Sequence, residues 1–389
     1  MFRVRTYNRI SEQGLGRFPA DRYQVLPDIE NPDACILRSH KLHNEPVAEN
    51  LVAVARAGAG VNNIPVEAYS HRGIVVFNTP GANANAVKEL VAAALLLSSR
   101  NIVGGMNFVQ QLKDIDDPAE MARRLEREKK QFSGSEIAGK TLGVIGLGAI
   151  GSMVANMALE LGMQVAGYDP AISVDAAWRL SHRVAKVESL EALLGISDFV
   201  SVHVPVVEKT RHLLNAETIS RMKPGAKLLN FAREEIVDVD AVIAALESKQ
   251  LAAYATDFPI PALLGRKNAL LLPHIGASTA EAEENCSVMA ADQLMDFLEH
   301  GNIRNSVNFP ATHMSRNGGY RITFCNDNVP RVLGTVLSVL ADHNINVSDM
   351  VNKSRGDIAY NIIDVENEPG QEILGAIAGA DGVIRVRMV

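Results

Sequence analysis

The sequence predicts an α/β fold: two Rossmann-like or flavodoxin-like parallel-sheet domains, then a C-terminal ferredoxin-like domain in the order β-α-β-β-α-β. Short apolar runs alternate with helical stretches through roughly the first 275 residues, as in parallel sheets with crossover helices. The pattern changes after a segment rich in Asn, Pro, Ser and Gly at 308–320. A chain of 389 residues is also too long for one core and predicts two or three domains.

The first unit, up to about Pro80, contains four strand-like runs: RVRTY, ACILR, LVAVA and IVVFN. The segment NAVKELVAAALLLSSR then predicts a long helix. The second unit begins at KTLGVIGLGAIG, and its later strands are QVAGYD, DFVSVHVP, AKLLNFA, AAYATDF and ALLLPHI. This alternation predicts parallel strands in both units.

An amphipathic helix, STAEAEENCSVMAADQLMDFLEHG, ends at Gly301. Gly318 and Gly319 predict a hinge. Beyond them the strands YRITFCN, VSDMVNKSR, IAYNIIDVE and VIRVRMV alternate with the helices RVLGTVLSVLADHN and QEILGAIAG. We interpret this segment as a third unit, separate from the chemistry.

Composition excludes several classes of function. A net charge of −7 disfavours nucleic-acid binding, and the longest apolar run, at 91–97, is too short to span a membrane. Cys35, Cys286 and Cys325 are widely spaced and form no C-x-x-C pair, which argues against disulfides and a structural zinc site. The start of the chain lacks an apolar signal core. We therefore expect a soluble cytoplasmic protein without a bound metal.

A complete dinucleotide-binding pattern opens the second unit. Gly146, Gly148 and Gly151 follow the apolar strand TLGVI and open the helix IGSMVANMALELG. The next strand ends in Asp169, 23 residues after the first glycine. This arrangement predicts a pyrophosphate at the helix N-terminus and ribose hydroxyls at the acid. Asp169 would repel a 2′-phosphate, and no Arg or Lys lies in the following PAISVDAA, so NAD is favoured over NADP.

Three polar residues follow later strands of the same predicted sheet: Arg233, Asp257 and His274. Parallel strands end at one edge, so these side chains should meet at the nucleotide site. Hydride transfer requires an imidazole for the hydroxyl proton and a guanidinium for a substrate carboxylate. Each residue alone has an ordinary structural interpretation, as a loop or turn residue, but their joint placement favours a dehydrogenase.

The first unit offers further anion-binding residues. Arg38 and Arg56 follow apolar runs, and Gly58 lies in the glycine turn AGAGVNN, whose N–H groups can bind an anion. Two such arginines predict a substrate with more than one negative group. The charged segment MARRLEREKKQF predicts a solvated helix, and the alternative is that Lys129 or Lys130 reaches an anionic ligand.

The motifs GLGAIG, YDP, SVHVP, NFAREEIVD and PHIGAST resemble those of the NAD-dependent D-2-hydroxyacid dehydrogenases, in order and spacing. RTYNRISEQGLGRFP and ARAGAGVNN are similar to the phosphoglycerate branch of that family, and the C-terminal unit resembles an ACT regulatory domain. The resemblance covers essentially the whole chain. It implies oxidation of 3-phospho-D-glycerate to 3-phosphohydroxypyruvate, the first step of L-serine biosynthesis, by a homodimer or homotetramer.

The resemblance also assigns roles by position. It implies that Arg233 binds substrate, that His274 is the acid/base, and that Arg38, Arg56 and Gly58 hold the phosphate-bearing substrate. The implied cofactor contacts are Gly146, Gly148, Ala149, Ile150, Gly151, Asp169, Pro205 and Asp257. The implied domains are a discontinuous substrate domain at 1–81 and 277–308, an NAD domain at 82–276, a linker at 309–319 and an ACT domain at 320–389.

Two positions in the catalytic segments depart from the family pattern. The family glutamate that pairs with the histidine is expected 29 residues after Arg233, where this chain has Ala262. Glu234 replaces a glycine beside Arg233. We expect a working but slower enzyme in which Glu281 or Glu234 is a possible substitute for the missing carboxylate.

In the regulatory segment Asn328 and Asn346 match positions where such ACT domains bind serine across a domain interface. Asn326 stands where a histidine is often found, and Arg331 replaces the glycine that usually follows Pro330. L-serine is therefore a possible effector. Two other functions stay open: a dehydrogenase of another 2-hydroxy acid, of the glycerate or glyoxylate type, and a non-catalytic NAD-sensing protein.

Overall fold

In the computed structural model, which describes residues 1–389 apart from the side chain of Asp175, contacts between residues divide the chain into two units. Unit 1 comprises residues 1–83 and 280–389, and unit 2 comprises residues 84–279. No helix among the described residues is long and apolar enough to cross a membrane.

Unit 1 begins with a five-stranded parallel sheet in the order β2-β1-β3-β4-β5. Its strands are β1 (Phe2–Thr6), β2 (Tyr23–Leu26), β3 (Ala34–Leu37), β4 (Ala53–Arg56) and β5 (Val75–Phe77), with the short helices α1 (Glu12–Leu15) and α2 (Val66–Ser70). β3 is buried along its whole length, which explains its continuous apolar sequence. The sequence analysis missed β2, because only part of Tyr23–Leu26 is buried and its apolar residues are few.

Unit 2 begins with helices and continues as a seven-stranded parallel sheet in the order β12-β11-β10-β9-β6-β7-β8. The helices are α3 (Ala84–Ser99), α4 (Ile102–Gln110), α5 (Pro118–Glu128), α6 (Ala149–Glu160), α7 (Val174–Ala177), α8 (Leu190–Ile196), α9 (Ala216–Ser220) and α10 (Val239–Glu247). The strands are β6 (Thr141–Ile145), β7 (Gln164–Tyr168), β8 (Ala185–Lys186), β9 (Phe199–Val202), β10 (Ala226–Asn230), β11 (Leu251–Thr256) and β12 (Ala269–Leu271). Two apolar cores cover the sheet.

The rest of unit 1 is helix α11 (Ala280–His300) and a four-stranded antiparallel sheet in the order β14-β15-β13-β16. Its elements are β13 (Tyr320–Asp327), α12 (Val332–Asp342), β14 (Val347–Arg355), β15 (Ile358–Val365), α13 (Gln371–Ala378) and β16 (Val383–Met388). This is the predicted β-α-β-β-α-β order, so the predicted fold class is confirmed. α12 and α13 pack on one face of the sheet around Phe324 and Val336.

The other face of the C-terminal sheet packs against the rest of unit 1. Cys325, Tyr360 and Ile362 share one apolar core with Phe77 and Phe297. The sequence analysis predicted three units, whereas the contacts group the chain into two, because this shared core joins the third unit to the first. Residues 309–319, the predicted linker, include the buried Phe309 and Met314 of that core.

Four side chains of the C-terminal segment bind the last three carbonyls of α11 and the carbonyl of the next residue, Gly301. Arg387 donates to Leu298 O at 3.3 Å, Arg316 to Glu299 O at 3.3 Å, Arg321 to His300 O at 2.9 Å and Tyr360 to Gly301 O at 2.7 Å. The last carbonyls of a helix lack intrahelical partners and carry partial negative charge, so cationic donors stabilise this end.

Candidate active site

The carboxyl ends of neighbouring parallel strands in unit 2 carry the predicted catalytic residues. β12, β11, β10, β9 and β6 are adjacent and parallel. Along that edge lie His274 after β12, Asp257 directly after β11, Arg233 after β10 and Gly146 directly after β6. Ligands of open α/β sheets bind at this edge.

The glycine turn after β6 has room for a pyrophosphate. Gly146 has a φ of +86°, and a Cβ there would lie 2.6 Å from the His203 carbonyl oxygen. A Cβ on Gly151 would lie 1.9 Å from the Gly146 carbonyl oxygen. A Cβ on Gly148, the N-cap of α6, meets nothing within 4 Å. Gly146 and Gly151 therefore close the turn tightly. Gly148 leaves open space at the N-terminus of α6, where Ala149 and Ile150 form the first turn.

Asp169 braces the glycine turn. Its carboxylate accepts the Leu147 N–H at 2.8 Å and the Ala171 N–H at 2.9 Å. Each carboxylate oxygen has a further lone pair, so the group can still accept ribose hydroxyls. Pro205, the remaining predicted cofactor contact, is exposed three residues after β9, and its carbonyl accepts the Thr210 hydroxyl at 2.6 Å.

Asp257 presents a buried oxygen that lacks a donor. The residue is 2% exposed, and its Oδ2 accepts the Gly276 N–H at 2.9 Å. Its Oδ1 is buried and has no hydrogen-bond partner among the residues that the structure describes. Leaving a buried acceptor unpaired costs about 1–3 kcal/mol. An amide N–H of a nicotinamide would satisfy this oxygen, so the residues present fit NAD.

Arg233 has donors available for a carboxylate. The side chain is half-buried, and its one hydrogen bond within the described chain runs from Nη1 to the Ala232 carbonyl at 2.7 Å. A guanidinium has five N–H donors, and the others suit a bidentate contact with a carboxylate. Glu234 is exposed and forms no ion pair with Arg233 in the described structure.

His274 is exposed and lacks a carboxylate partner within the described part of unit 2. Its ring centroid lies 5.0 Å from that of Phe258, with an angle of 59° between the rings. Ala262 is exposed in the 3-10 turn Pro261–Leu263, and its carbonyl accepts Arg266 Nε at 3.1 Å. Glu234 forms no hydrogen bond or ion pair with the His274 ring in the described structure. One of the two substitutes that the sequence suggested, Glu234, is thus not in place.

A second histidine, His203, lies near the glycine turn and escaped the sequence analysis. His203 follows β9, its Nε2 is 2.8 Å from the Ser201 hydroxyl, and its Nδ1 is buried without a partner in the described chain. Burial lowers the pKa of His203 to about 3, so the imidazole is neutral. Its position at the end of the strand next to β6, within SVHVP, was the signal available in the sequence.

In unit 1, Arg38 and Arg56 lie at the carboxyl ends of the adjacent strands β3 and β4. Arg56 Nε donates to the Arg38 carbonyl at 3.0 Å. A Cβ on Gly58 would lie 2.6 Å from Arg56 Nη1, so the glycine turn makes room for this guanidinium. Arg38 Nη1 is 2.5 Å from Glu283 Oε1 on α11. These contacts gather two cations and one carboxylate at one edge of the first sheet.

A hydrogen-bonded group at the same edge was also missed. Tyr7 donates to Glu45 at 2.8 Å, and His40 Nε2 is 2.5 Å from the other carboxylate oxygen. The Tyr7 and His40 rings stack with centroids 4.4 Å apart. Burial raises the pKa of Glu45, but the bonds from His40 and Tyr7 outweigh it and hold the pKa below its usual value. The sequence analysis missed this group because Tyr7 lies 38 residues from Glu45, and a contact over that separation leaves no local sequence pattern.

The three predicted regulatory asparagines do not come together within one chain. Asn326 is 4% exposed and accepts Asn361 Nδ2 at 2.7 Å. Asn328 donates to the Gly356 carbonyl at 3.0 Å, whereas Asn346 donates to Glu366 at 2.8 Å. Because β13 pairs with β15 over its whole length, Asn328 and Asn346 lie at opposite ends of the sheet.

Three comparisons relate this chain to known proteins. The family model for the NAD binding domain of the D-isomer specific 2-hydroxyacid dehydrogenases matches residues 103–276. D-3-phosphoglycerate dehydrogenase of Escherichia coli K12 is 34% identical over 385 residues, covering 95% of this chain and 90% of that protein.

Solved structures agree at the level of the fold. NAD+-bound 3-phosphoglycerate dehydrogenase of Entamoeba histolytica superposes with a TM-score of 0.61 and 26% identity, over 79% of this chain and 98% of that one. D-mandelate dehydrogenase of Rhodotorula graminis gives a TM-score of 0.65 and 26% identity, over 80% and 99%. The similarity to the E. coli enzyme extends over nearly the whole chain, and the glycine turn and Asp257 agree with it. The chain belongs to the D-isomer specific 2-hydroxyacid dehydrogenase family and is an NAD-dependent oxidoreductase.

Proposed function

We propose that the protein oxidises 3-phospho-D-glycerate to 3-phosphohydroxypyruvate with NAD, the first step of L-serine biosynthesis. The observation that carries this proposal is the pair Arg38 and Arg56, held together at one edge of the first sheet. Two cations at one place suit a phosphoryl group, which carries up to two charges.

In this proposal Arg233 holds the substrate carboxylate, and His274 accepts the proton of the C2 hydroxyl. Bound NAD supplies the hydride acceptor. Asp257 orients the nicotinamide through its amide, and the N-terminus of α6 holds the pyrophosphate. The neutral His203 keeps positive charge away from the turn between Gly146 and Gly151.

The absence of a glutamate at Ala262 affects only the support of His274. A carboxylate partner fixes the tautomer and orientation of an imidazole. Here His274 has the Phe258 ring beside it, with the ring centroids 5.0 Å apart. We therefore expect catalysis to be slower but present.

The deciding experiment is NADH oxidation with 3-phosphohydroxypyruvate, hydroxypyruvate and glyoxylate in parallel. A strong preference for the phosphorylated keto acid supports the proposal. A preference for either unphosphorylated acid favours a glycerate or glyoxylate enzyme. Binding of NADH without turnover of any of them favours an NAD-sensing protein.

A homodimer, or a homotetramer built from it, is the proposed assembly. Helix α4 has no buried residue within the described chain, even though it carries several apolar residues. The exposed fractions of Ile102, Val103, Met106 and Val109 are 38%, 46%, 65% and 41%. An apolar helix surface of this kind marks a protein contact, and a second copy of this chain is the proposed occupant. Met106→Glu should shift the mass measured by sedimentation towards that of one chain. An unchanged mass would contradict this assignment.

L-serine is the proposed effector, and the C-terminal sheet is the proposed ACT domain. Because Asn328 and Asn346 lie at opposite ends of the sheet, a site that uses both takes one from each of two chains. We expect L-serine to inhibit turnover and Asn346→Ala to weaken that inhibition. Inhibition that survives this change would place the effector elsewhere. The cysteines are free and buried, which supports a reducing, cytoplasmic location.

A further inference from the structure

The carboxylate of Glu283 forms an ion pair with Arg38, one of the two proposed anion-binding arginines of unit 1. Arg38 Nη1 lies 2.5 Å from Glu283 Oε1, and the two side chains are 38% and 46% exposed. The pair is therefore accessible to a ligand and is not locked into the core. An exposed pair of this kind is weak, contributing about 0.2–1 kcal/mol, so a ligand can displace it.

Glu283 is tethered close to Arg38 by the helix that carries it. Glu283 projects from the first turn of α11, where negative charge is favoured by the helix dipole. Its carboxylate is tethered to a 21-residue helix whose far end is fixed by side chains of the C-terminal sheet. The carboxylate is thus always present beside Arg38 at a high effective concentration.

The charges around Cys286 place all three groups in one neighbourhood. The pKa of this buried thiol is raised mainly by burial, and Arg38 and Arg56 lower it while Glu283 raises it further. Arg56 is in turn bound to the Arg38 carbonyl. Two cations and one anion therefore act on the same small region.

We propose that Glu283 is a built-in competitor that makes the Arg38 and Arg56 site select a doubly charged phosphoryl group over a singly charged carboxylate. This inference rests on the proposed function. A monoanionic ligand that displaces Glu283 exchanges one carboxylate for another and loses its own freedom of motion. A phosphoryl dianion brings a second charge, which interacts with Arg56 as well. Selectivity arises because the tethered carboxylate penalises the two ligands unequally: the monoanion competes with Glu283 for Arg38 alone, whereas the dianion keeps a second contact with Arg56 while Glu283 is in place.

The test compares Glu283→Gln with the wild type on 3-phosphohydroxypyruvate and on 2-oxoglutarate, whose second acid group carries one charge. Glutamine keeps the size and hydrogen-bonding capacity of the side chain and removes its charge. We expect kcat/KM to rise for both keto acids, by roughly two- to fivefold for 2-oxoglutarate and by less for 3-phosphohydroxypyruvate. The ratio of kcat/KM for 3-phosphohydroxypyruvate to that for 2-oxoglutarate should therefore fall. Glu284→Gln is the matched control, because Glu284 forms no ion pair in the described structure, and it should behave as the wild type.

Equal gains for both keto acids, no gain, or a loss with Glu283→Gln would overturn the proposal. Failure of the proposed function is separable from this result. If no keto acid is turned over, calorimetric titration of the wild type and Glu283→Gln with inorganic phosphate and with acetate asks the same question. Acetate binding should then improve more than phosphate binding, and an equal change would reject the role of Glu283.

Discussion

His274 is positioned by its own backbone and by one aromatic neighbour. It has a φ of +52°, a left-handed conformation that is uncommon outside glycine, and its ring lies beside Phe258. Non-glycine residues in this region persist where the surrounding structure holds them, and they are frequent at active sites.

Replacing His274 with Ala should lower kcat by about 10²–10⁴-fold, the usual contribution of a general acid or base. Binding of NADH, which depends on other residues, should stay close to that of the wild type. Steady-state kinetics and fluorescence titration of NADH measure the two quantities. Unchanged turnover would remove His274 from the mechanism.

Arg331 is strained at the start of α12. Its φ is +83°, where a Cβ costs about 1–2 kcal/mol and glycine has no such cost. Arg331→Gly should therefore raise the free energy of unfolding by roughly 0.5–1 kcal/mol, after the greater freedom of glycine in the unfolded chain is subtracted. Urea denaturation of the wild type and the variant measures this difference in the free energy of unfolding. Arg331→Ala keeps the Cβ and serves as the control, and equal stabilisation by Ala would show that charge, not the backbone, matters.

His203 should make the protein less stable in acid. Its folded pKa of about 3 lies below the ordinary value of 6.5, so below pH 6.5 the unfolded chain binds a proton that the folded chain excludes. Its contribution to stability is complete above pH 6.5 and falls by about 1.4 kcal/mol for each pH unit towards pH 3. His203→Asn removes this term. The free-energy gap between wild type and variant, measured at pH 8 and again at pH 4.5, should therefore shift in favour of the variant. A constant gap would mean that His203 titrates normally.

At the scale of elements, we expect two glycines of the turn after β6 to have different roles: Gly148 in binding the cofactor and Gly151 in folding. Gly148 has open space around its Cβ position and a φ of −67°, so Gly148→Val should fold normally. The added side chain would occupy the space of the pyrophosphate and weaken NAD binding by at least about tenfold, or ~1.4 kcal/mol.

Gly151→Ala is the matched contrast, since its Cβ would fall 1.9 Å from the Gly146 carbonyl oxygen. It should lower the free energy of unfolding by roughly 1–3 kcal/mol, as overpacking does. Thermal denaturation and calorimetric NAD titration on both variants give the two numbers. Equal loss of stability in both would contradict the division of roles.

Elements with a complete sequence pattern were predicted well, and short or half-exposed ones were not. VSDMVNKSR and β14 coincide, and the predicted end of α11 at Gly301 agrees with its φ of +71°. β2 and the two-residue β8 were missed, because a strand at the edge of a sheet has neighbours on one side and needs little apolar sequence. The glycine turn and Asp169 were identifiable because their function depends on spacing along the chain.

At the scale of the whole molecule, one buried ion pair secures the junction between the C-terminal sheet and the rest of unit 1. Arg321 and Asp364 are 0% and 1% exposed and form two bonds, at 2.6 and 2.7 Å. Arg321 also donates to the carbonyls of His300, Met314 and Ser315. This arginine therefore ties the sheet to the end of α11 and to residues 309–319.

Arg321→Met should lower the free energy of unfolding by about 3–5 kcal/mol, because it leaves the buried Asp364 carboxylate without a partner. Adding Asp364→Leu should recover part of that loss, but not the part due to the three carbonyls that lose their donor. Chemical denaturation of the single and double variants gives the comparison. A single variant as stable as the wild type would show that Asp364 accepts a proton or water at little cost.

The sequence by itself determined the fold class and the placement of Arg233, Asp257 and His274 at one edge of a sheet, because periodicity and spacing along a parallel sheet fix which residues reach that edge. Only the tertiary structure decided what depends on contacts between distant segments. These are the unpaired oxygen of Asp257, the neutral His203, the pairing of Arg38 with Glu283, and the docking of the C-terminal sheet on α11. Burial and partner choice are properties of the packed chain, so no local pattern encodes them.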